Sequence, residues 1–278
     1  MEPSSNAIII TVANQKGGVG KTTSVMNLGV AFHQCGKKVL LIDSDPQANL
    51  TSYLGVQPTR TLDEIYLSKR PMNSEPLEVK KQWICPTHSG VDLIASDRGL
   101  SGVEYYLFSR SDKEMVLKGF LECFRDAYDF ILIDTPPSLN LLTLNALCAS
   151  DRVLIPVQPE FFSLEGIVKI RETIGEVKAR WNPSLAILGI LATQVSSRRK
   201  LTDEILSTLR AELGSDLLKA MIRDSAAVTE SSGHAKSVLE YQRSSNGAQD
   251  YIEAAAELIK RCASPKRNSK EKQKELSI

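Results

Sequence analysis

The feature that most limits what this chain can fold into is a three-part run near its start. A β-branched stretch, Ala7 to Ala13 (AIIITVA), leads straight into Lys16-Gly17-Gly18-Val19-Gly20-Lys21-Thr22-Thr23, and an amphipathic stretch from Lys21 to Gln34 begins inside that loop. A strand without polar alternation is buried on both faces, as happens in parallel sheets covered by helices. A strand that feeds a glycine loop into a helix also aims backbone N–H groups and the positive end of a helix dipole at one point, which suits an anion. The expectation is an α/β fold with a doubly wound, mostly parallel central sheet flanked by helices. Its ligand should sit at the carboxyl end of the strands.

The rest of the chain repeats this alternation. Gly36 ends the first helix and Lys38 to Asp43 (KVLLID) reads as a second strand. Between Gln57 and Pro86 the pattern is less regular, with a short helix over Thr61 to Leu67 and a proline-containing loop; Val91 to Ala95 (VDLIA) is again strand-like. A helix over Lys113 to Ala127 precedes Asp129 to Asp134 (DFILID), the run most like a central strand. Further strands are predicted at Arg152 to Val157 and Leu185 to Ala192, and further helices at Phe161 to Ala179, Leu201 to Leu213 and Ala248 to Cys262. Residues 1–262 are expected to form one nucleotide-binding domain. Residues 263–278, ending in SPKRNSKEKQKELSI, are too polar to bury a core and read as a basic disordered tail.

The loop is a phosphate-binding motif with a departure. In the usual pattern G-x-x-x-x-G-K-[ST], Lys21 is a point charge for the β- and γ-phosphates and the Thr22 hydroxyl a ligand for Mg²⁺, with Thr23 placed for the α-phosphate. Here Gln15 stands at the first glycine position, and Lys16 adds a second lysine five residues before Lys21, the deviant form of the Walker A motif. Asp43-Ser44-Asp45-Pro46-Gln47 follows the second strand, where two carboxylates can serve a metal and a water; alone, Asp-Pro would as readily start a turn. Asp134-Thr135-Pro136-Pro137 ends the strand ILID, so the Asp134 carboxylate can reach Mg²⁺ through a water in the manner of a Walker B aspartate.

Composition narrows the classes that remain. The formal net charge of +1 gives no field strong enough to attract polyanions over the whole molecule, so nucleic-acid binding would need a local patch. The five cysteines (Cys35, Cys85, Cys123, Cys148, Cys262) contain no C-x-x-C pair, which fits neither a zinc site nor a disulfide framework and agrees with a reducing cytoplasm. No apolar run reaches the roughly 18 to 20 residues of a membrane span, and Met1 to Asn6 lacks the regions of an export signal.

In four landmarks taken in order, KGGVGKTT, LLIDSDPQANLT, FILIDTPPS and VLIPVQPEFFSLEG, the chain resembles the ParA/Soj branch of the deviant-Walker ATPases that also include MinD. The resemblance runs from about Ala7 to Cys262. It implies an ATPase using ATP and Mg²⁺, in which two subunits sandwich two nucleotides and Lys16 reaches the nucleotide of the opposite subunit. It further implies that Gly17 to Thr23 cradle the phosphates, that Lys21 binds the β- and γ-phosphates, and that Thr22 ligates the metal. Asp43 and Asp134 would hold the metal's water shell, and Asp45 would position the attacking water. Because phosphoryl transfer needs mostly positioning and charge neutralisation, a site short of one cation should turn over slowly until a partner completes it.

The resemblance also implies an ATP-dependent homodimer that binds DNA without sequence preference, and a ParB-like or cargo-adaptor protein that stimulates hydrolysis. The expected location is cytoplasmic and nucleoid-associated, and the expected task chromosome or plasmid segregation. Arg198, Arg199, Lys200 and Arg223 are the candidate DNA contacts, with the basic tail from Lys266 to Lys274 adding to the field. The segment Met221 to His234 departs from the family's proline-rich wording there, although it keeps Arg223 and Glu230. The tail has no apolar face for a membrane and no tyrosine cluster, and Thr135-Pro136-Pro137 stands where nitrogenase-type relatives carry a cluster cysteine. Two alternatives remain: a ParA-like ATPase that positions a protein cargo such as a microcompartment or chemoreceptor cluster, and a metabolic P-loop ligase.

Overall fold

The computed structural model describes residues 6–68, 77–160, 163–196 and 200–263. In chain order its elements are β1 (Ile8–Val12), α1 (Lys21–Gln34), β2 (Val39–Asp43), α2 (Asn49–Tyr53), α3 (Leu62–Leu67), α4 (Leu77–Lys80), β3 (Ile84–Pro86), β4 (Asp92–Ile94), α5 (Val103–Leu107) and α6 (Val116–Leu121). There follow β5 (Phe130–Asp134), α7 (Leu141–Ala149), β6 (Arg152–Val157), α8 (Ser163–Arg180), β7 (Ala186–Val195), α9 (Lys200–Leu213), β8 (Leu217–Arg223), α10 (Ala226–Gly233), α11 (Val238–Tyr241) and α12 (Asn246–Ala263).

The strands form one sheet in the order β3-β4-β2-β5-β1-β6-β7-β8, parallel throughout except for β3 against β4. Alternate side chains of each central strand enter different cores. Leu41 of β2 and Leu132 of β5 pack with α1, α11 and α12. Ile42 and Ile133, one residue on, pack with α3, α5 and α6, and Val153 and Ile155 of β6 pack with α8 and α9. Both faces are therefore apolar, which is why VLLID and FILID show no polar alternation. The chain leaves β1 toward β2 on one side and later reaches β6 on the other, so the order reverses at β1, and the loop after it opens at the switch point where α/β sheets bind ligands.

Several elements depart from the sequence-based expectation, among them the short helices α2, α4, α5, α10 and α11. The helix expected over Lys113 to Ala127 begins only at Val116 and tightens into a 3₁₀ turn over Glu122–Phe124. The Asn145 side chain intervenes, accepting from the Leu117 amide (3.2 Å) and donating to the Lys113 carbonyl (2.6 Å). Helix α7 was not anticipated, because LLTLNALCA is almost wholly buried and lacks an amphipathic period. β3 is a short edge strand that ends in Pro86.

β8 was missed for a related reason: it is half-exposed and at the sheet's other edge. Its outward amides are capped from α12, with Glu257 accepting from Lys219 (2.9 Å) and Ala220 (3.0 Å), and Asp250 accepting from Arg223 (2.9 Å). Carboxylates thus satisfy an edge that would otherwise offer donors to another strand.

Candidate nucleotide site

The loop between β1 and α1 is shaped by side chains from neighbouring strands. Asn14 donates to the Pro156 carbonyl (2.8 Å) and accepts from the Lys16 amide (3.0 Å), fixing the loop's entry to the end of β6. Gly18 and Gly20 have φ of 75° and 78°, left-handed values that favour glycine, and Gly20 is the N-cap of α1. From the carboxyl end of β7, Thr193 donates to the Val19 carbonyl (2.9 Å) and Gln194 to the Gly18 carbonyl (2.7 Å). With those carbonyls committed outward, the donors left for an anion are the loop amides and the first-turn amides of α1, which have no intrahelical acceptor at any helix start.

The two lysines of the loop have different surroundings. Lys21 is buried, 7% exposed, and its ammonium donates to the Lys16 carbonyl (3.1 Å). Burial lowers its pKa, while the charges of Asp134 and Asp45 act in the opposite sense. The Lys16 side chain is 45% exposed and its ammonium is paired with Glu160, in the loop after β6.

Asp43 and Asp134 are cross-strand partners at the ends of β2 and β5, and Asp134 is also in register with Val12 of β1. Both follow by two residues a side chain packed against α1, so both project to the face that carries the loop. Their environments differ. Asp43 accepts from the Thr51 amide (2.8 Å), the Thr51 hydroxyl (2.7 Å) and the Asp45 amide (3.2 Å). Burial pushes its carboxyl up to about 6, with the Thr51 bonds resisting the rise. Asp134 is fully buried, and neither of its carboxylate oxygens has a hydrogen-bond partner. Burial, then the neighbouring Asp43 charge, raises its pKa well above the ordinary range, opposed by the nearby Thr22 hydroxyl and the charge of Lys21.

Such a pair is costly without a cation, since a buried charge with open lone pairs lacks its compensation. Hard oxygen donors of this kind fit Mg²⁺, which is held in nucleotide sites by one or two carboxylates with water and phosphate and needs no all-protein cage. No cluster of three or more His, Cys, Asp or Glu that could hold a metal occurs among the described residues. Asp45 is 6% exposed and accepts from the Gln47 amide through Oδ1 (2.9 Å).

A protein-family model described as an AAA domain matches residues 7–187. The chromosome partitioning protein ParA of Caulobacter vibrioides is 38% identical over 258 residues, covering 91% of this chain and 94% of that protein. The chain belongs to the ParA/Soj family of P-loop ATPases. The sporulation initiation inhibitor protein Soj of Bacillus subtilis is 37% identical over 250 residues, covering 90% and 97% of the two chains. In three dimensions the chain is similar to cobyrinic acid a,c-diamide synthase from Mycobacterium smegmatis, solved with bound ADP and magnesium. That match has a TM-score of 0.79 at 32% identity and covers 93% of this chain and 96% of the other. The chain is accordingly an ATPase of the ParA/Soj type, and its fold is that of the family.

The structure brings Lys16, Gly17, Gly18, Val19, Gly20, Lys21, Thr22 and Thr23 to one end of the sheet together with Asp43, Asp45 and Asp134. Arg223 lies at the same carboxyl end of the sheet, in register with Val195 of β7, but on the edge strand and not beside the loop. Arg223 ends β8 at the sheet edge, and its guanidinium is bonded to Asp250, which is 4% exposed (Nε to Oδ1 3.0 Å). Arg198, Arg199, the side chain of Lys200 and the tail from Lys266 to Lys274 lie outside the described residues. Thr193 and Gln194 were not anticipated in this ParA/Soj chain, although their place at the carboxyl end of a parallel strand is the signal that could have found them. Thr51 and Ser96 were also missed: Thr51 closes the LLIDSDPQANLT run with no role that the run assigns to it, and Ser96 is an isolated hydroxyl with no sequence signature. No helix among the described residues is long and apolar enough to cross a membrane.

Proposed function

We propose that this chain is a nucleotide-switched partitioning ATPase: with Mg²⁺ and ATP two copies close on each other, the closed form binds DNA without sequence preference, and a partner protein stimulates hydrolysis and release. In this reading Gly17 to Thr23 cradle the phosphates, Lys21 neutralises the β- and γ-phosphates, and Thr22 and Asp134 hold the metal side of the site. The metal, when bound, neutralises charge developing on the phosphoryl oxygens. Asp45 holds the attacking water, and Lys16 crosses to the nucleotide of the other subunit.

The observation that supports this most is the division of labour between the loop's two lysines. Lys21 alone serves the loop from within, whereas Lys16 holds its charge at the surface in an exposed pair with Glu160. A charge that does not face its own cradle is free to act elsewhere. The names of the relatives, chromosome partitioning protein ParA and Soj, support segregation as the task. We assign the DNA-bound location to the nucleoid on the same ground.

Retention of duplex DNA at fixed salt, compared between Mg-ATP and Mg-ADP, tests the switch; equal retention in the two states overturns it. The similarity to a chain solved as an amide synthase favours one competing reading, a small-molecule ligase. Hydrolysis that rises with DNA and a co-expressed adaptor supports partitioning, whether the cargo is DNA or a protein body. Hydrolysis that rises only with a small carboxylate and an amine donor supports the ligase.

A further inference from the structure

Two buried hydroxyls, Thr51 at the end of the LLIDSDPQANLT run and Ser96 outside any motif, close the loop that carries Asp45. The Thr51 hydroxyl donates to Asp43 Oδ2 (2.7 Å) and accepts from the Ser96 amide (3.0 Å), and the Thr51 amide donates to the same Asp43 oxygen (2.8 Å). The Ser96 hydroxyl donates to the backbone carbonyl of Asp45 (2.8 Å). Thr51, in the middle of the short helix α2, is 5% exposed, and Ser96, just past the end of β4, is 2% exposed. The segment from Asp43 to Thr51 is therefore pinned at three points: Asp43 at its beginning, the Asp45 carbonyl within it and Thr51 at its end. It turns through Ala48, whose φ of 52° is left-handed and is held by this closure.

Asp43 has three protein donors on its two oxygens, while Asp134 has none. The two carboxylates therefore do not do the same work. Asp134 has open lone pairs for a ligand, and Asp43 is chiefly the anchor of this loop. One oxygen of Asp45 accepts from Gln47 within the same pinned segment, so the direction of its other oxygen is fixed by backbone that Thr51 and Ser96 hold.

We propose that Thr51 and Ser96 are positioning residues for hydrolysis, acting through the Asp43–Thr51 loop to fix where the Asp45 carboxylate holds the attacking water. This rests on the reading of Asp45 given above. Both hydroxyls are committed to protein partners, so nucleotide affinity is expected to be independent of them. Displacing a water-holding group by about 1 Å can cost on the order of 100-fold in rate, and loss of one pin of a three-point closure displaces it by part of that.

The test is single-turnover hydrolysis of Mg-ATP by the full chain, with nucleotide affinity measured separately using a fluorescent ATP analogue. The variants are Thr51→Val, Thr51→Ser, Ser96→Ala and Asp45→Ala. The expected result is a fall in the hydrolysis rate of about tenfold or more for Thr51→Val and Ser96→Ala. Affinity should stay within about twofold, and Thr51→Ser, which keeps the hydroxyl, should recover most of the rate. Combining Thr51→Val with Ser96→Ala should cost less than the product of the single losses, because both act on one loop.

If Thr51→Val and Ser96→Ala hydrolyse as wild type does while Asp45→Ala is inactive, the positioning role is wrong. If their rate falls only together with affinity, or if Thr51→Ser is as impaired as Thr51→Val, the residues are structural and the proposal also fails. If Asp45→Ala itself hydrolyses normally, the reading of Asp45 fails instead, which separates the two failures. Should Thr51→Val not fold, Thr51→Ser and Ser96→Ala carry the test.

Discussion

Replacing Glu160 by glutamine removes the charge that holds Lys16 within its own subunit and leaves the local backbone, including the Glu160 amide's bond to the Ser163 hydroxyl (2.8 Å), in place. For Lys16 to reach a second subunit's nucleotide this pair must open, so its strength subtracts from the free energy of closing the dimer. The side chains are 45% and 57% exposed, which puts the pair in the class worth about 0.2 to 1 kcal/mol. Two pairs open per dimer, for about 0.4 to 2 kcal/mol, or a factor of roughly 2 to 30 in the dissociation constant. Sedimentation equilibrium with Mg²⁺ and a non-hydrolysable ATP analogue reads that constant directly. Glu160→Gln should dimerise more tightly than wild type at about 0.05 M salt, and the two should converge near 1 M, where the screening length falls to about 3 Å. A weaker dimer, or a change that salt does not diminish, would show that the Lys16–Glu160 pair does not oppose closure.

Two further outcomes follow from the carboxylates. Asp43 is raised in the fold from 3.8 to about 6, so the folded state keeps a proton that the unfolded chain has already lost between those values. The stability this contributes is complete below about pH 4 and is lost as pH rises through about 6, on the order of 3 kcal/mol in all. The difference in urea-unfolding free energy between wild type and Asp43→Asn, without nucleotide or Mg²⁺, should fall as pH rises over this window, and a flat difference would contradict it. Arg223→Ala leaves the buried Asp250 carboxylate without its guanidinium and should cost about 1 to 3 kcal/mol in the same assay; a loss of DNA retention with unchanged stability would show that the pair does not form in solution.

How much was readable beforehand depended on whether a role is written in chain order. AIIITVA, the glycine loop and α1 form a contiguous strand–loop–helix whose period and glycine spacing dictate both the local fold and the ligand class, and they were placed nearly to the residue. VLLID and FILID were recognisable because burial on both faces removes polar alternation. LLTLNALCA was lost for the same reason, since a wholly buried helix and a buried strand look alike. β8 escaped because Glu257 and Asp250, which satisfy its outer edge, come from a helix far along the chain.

The site divides in the same way. Lys16, Lys21, Asp43, Asp45 and Asp134 have roles that their motifs assign, whereas the hydroxyls of Thr51, Ser96 and Thr193 acquire meaning only from what folding puts beside them. The opposite states of Asp43, fully bonded, and Asp134, with no partner, were likewise invisible in a pattern that treats the two as equivalent.

In the proposed switch, ATP occupancy is converted into dimerisation through Lys16. Sedimentation of wild type and Lys16→Ala with Mg²⁺ and a non-hydrolysable ATP analogue, and of wild type with Mg-ADP, tests it most directly. A dimer is expected only for wild type with the ATP analogue, with Lys16→Ala still binding nucleotide as a monomer. A Lys16→Ala variant that dimerises as wild type does, or a wild type whose mass is the same with both nucleotides, would contradict it.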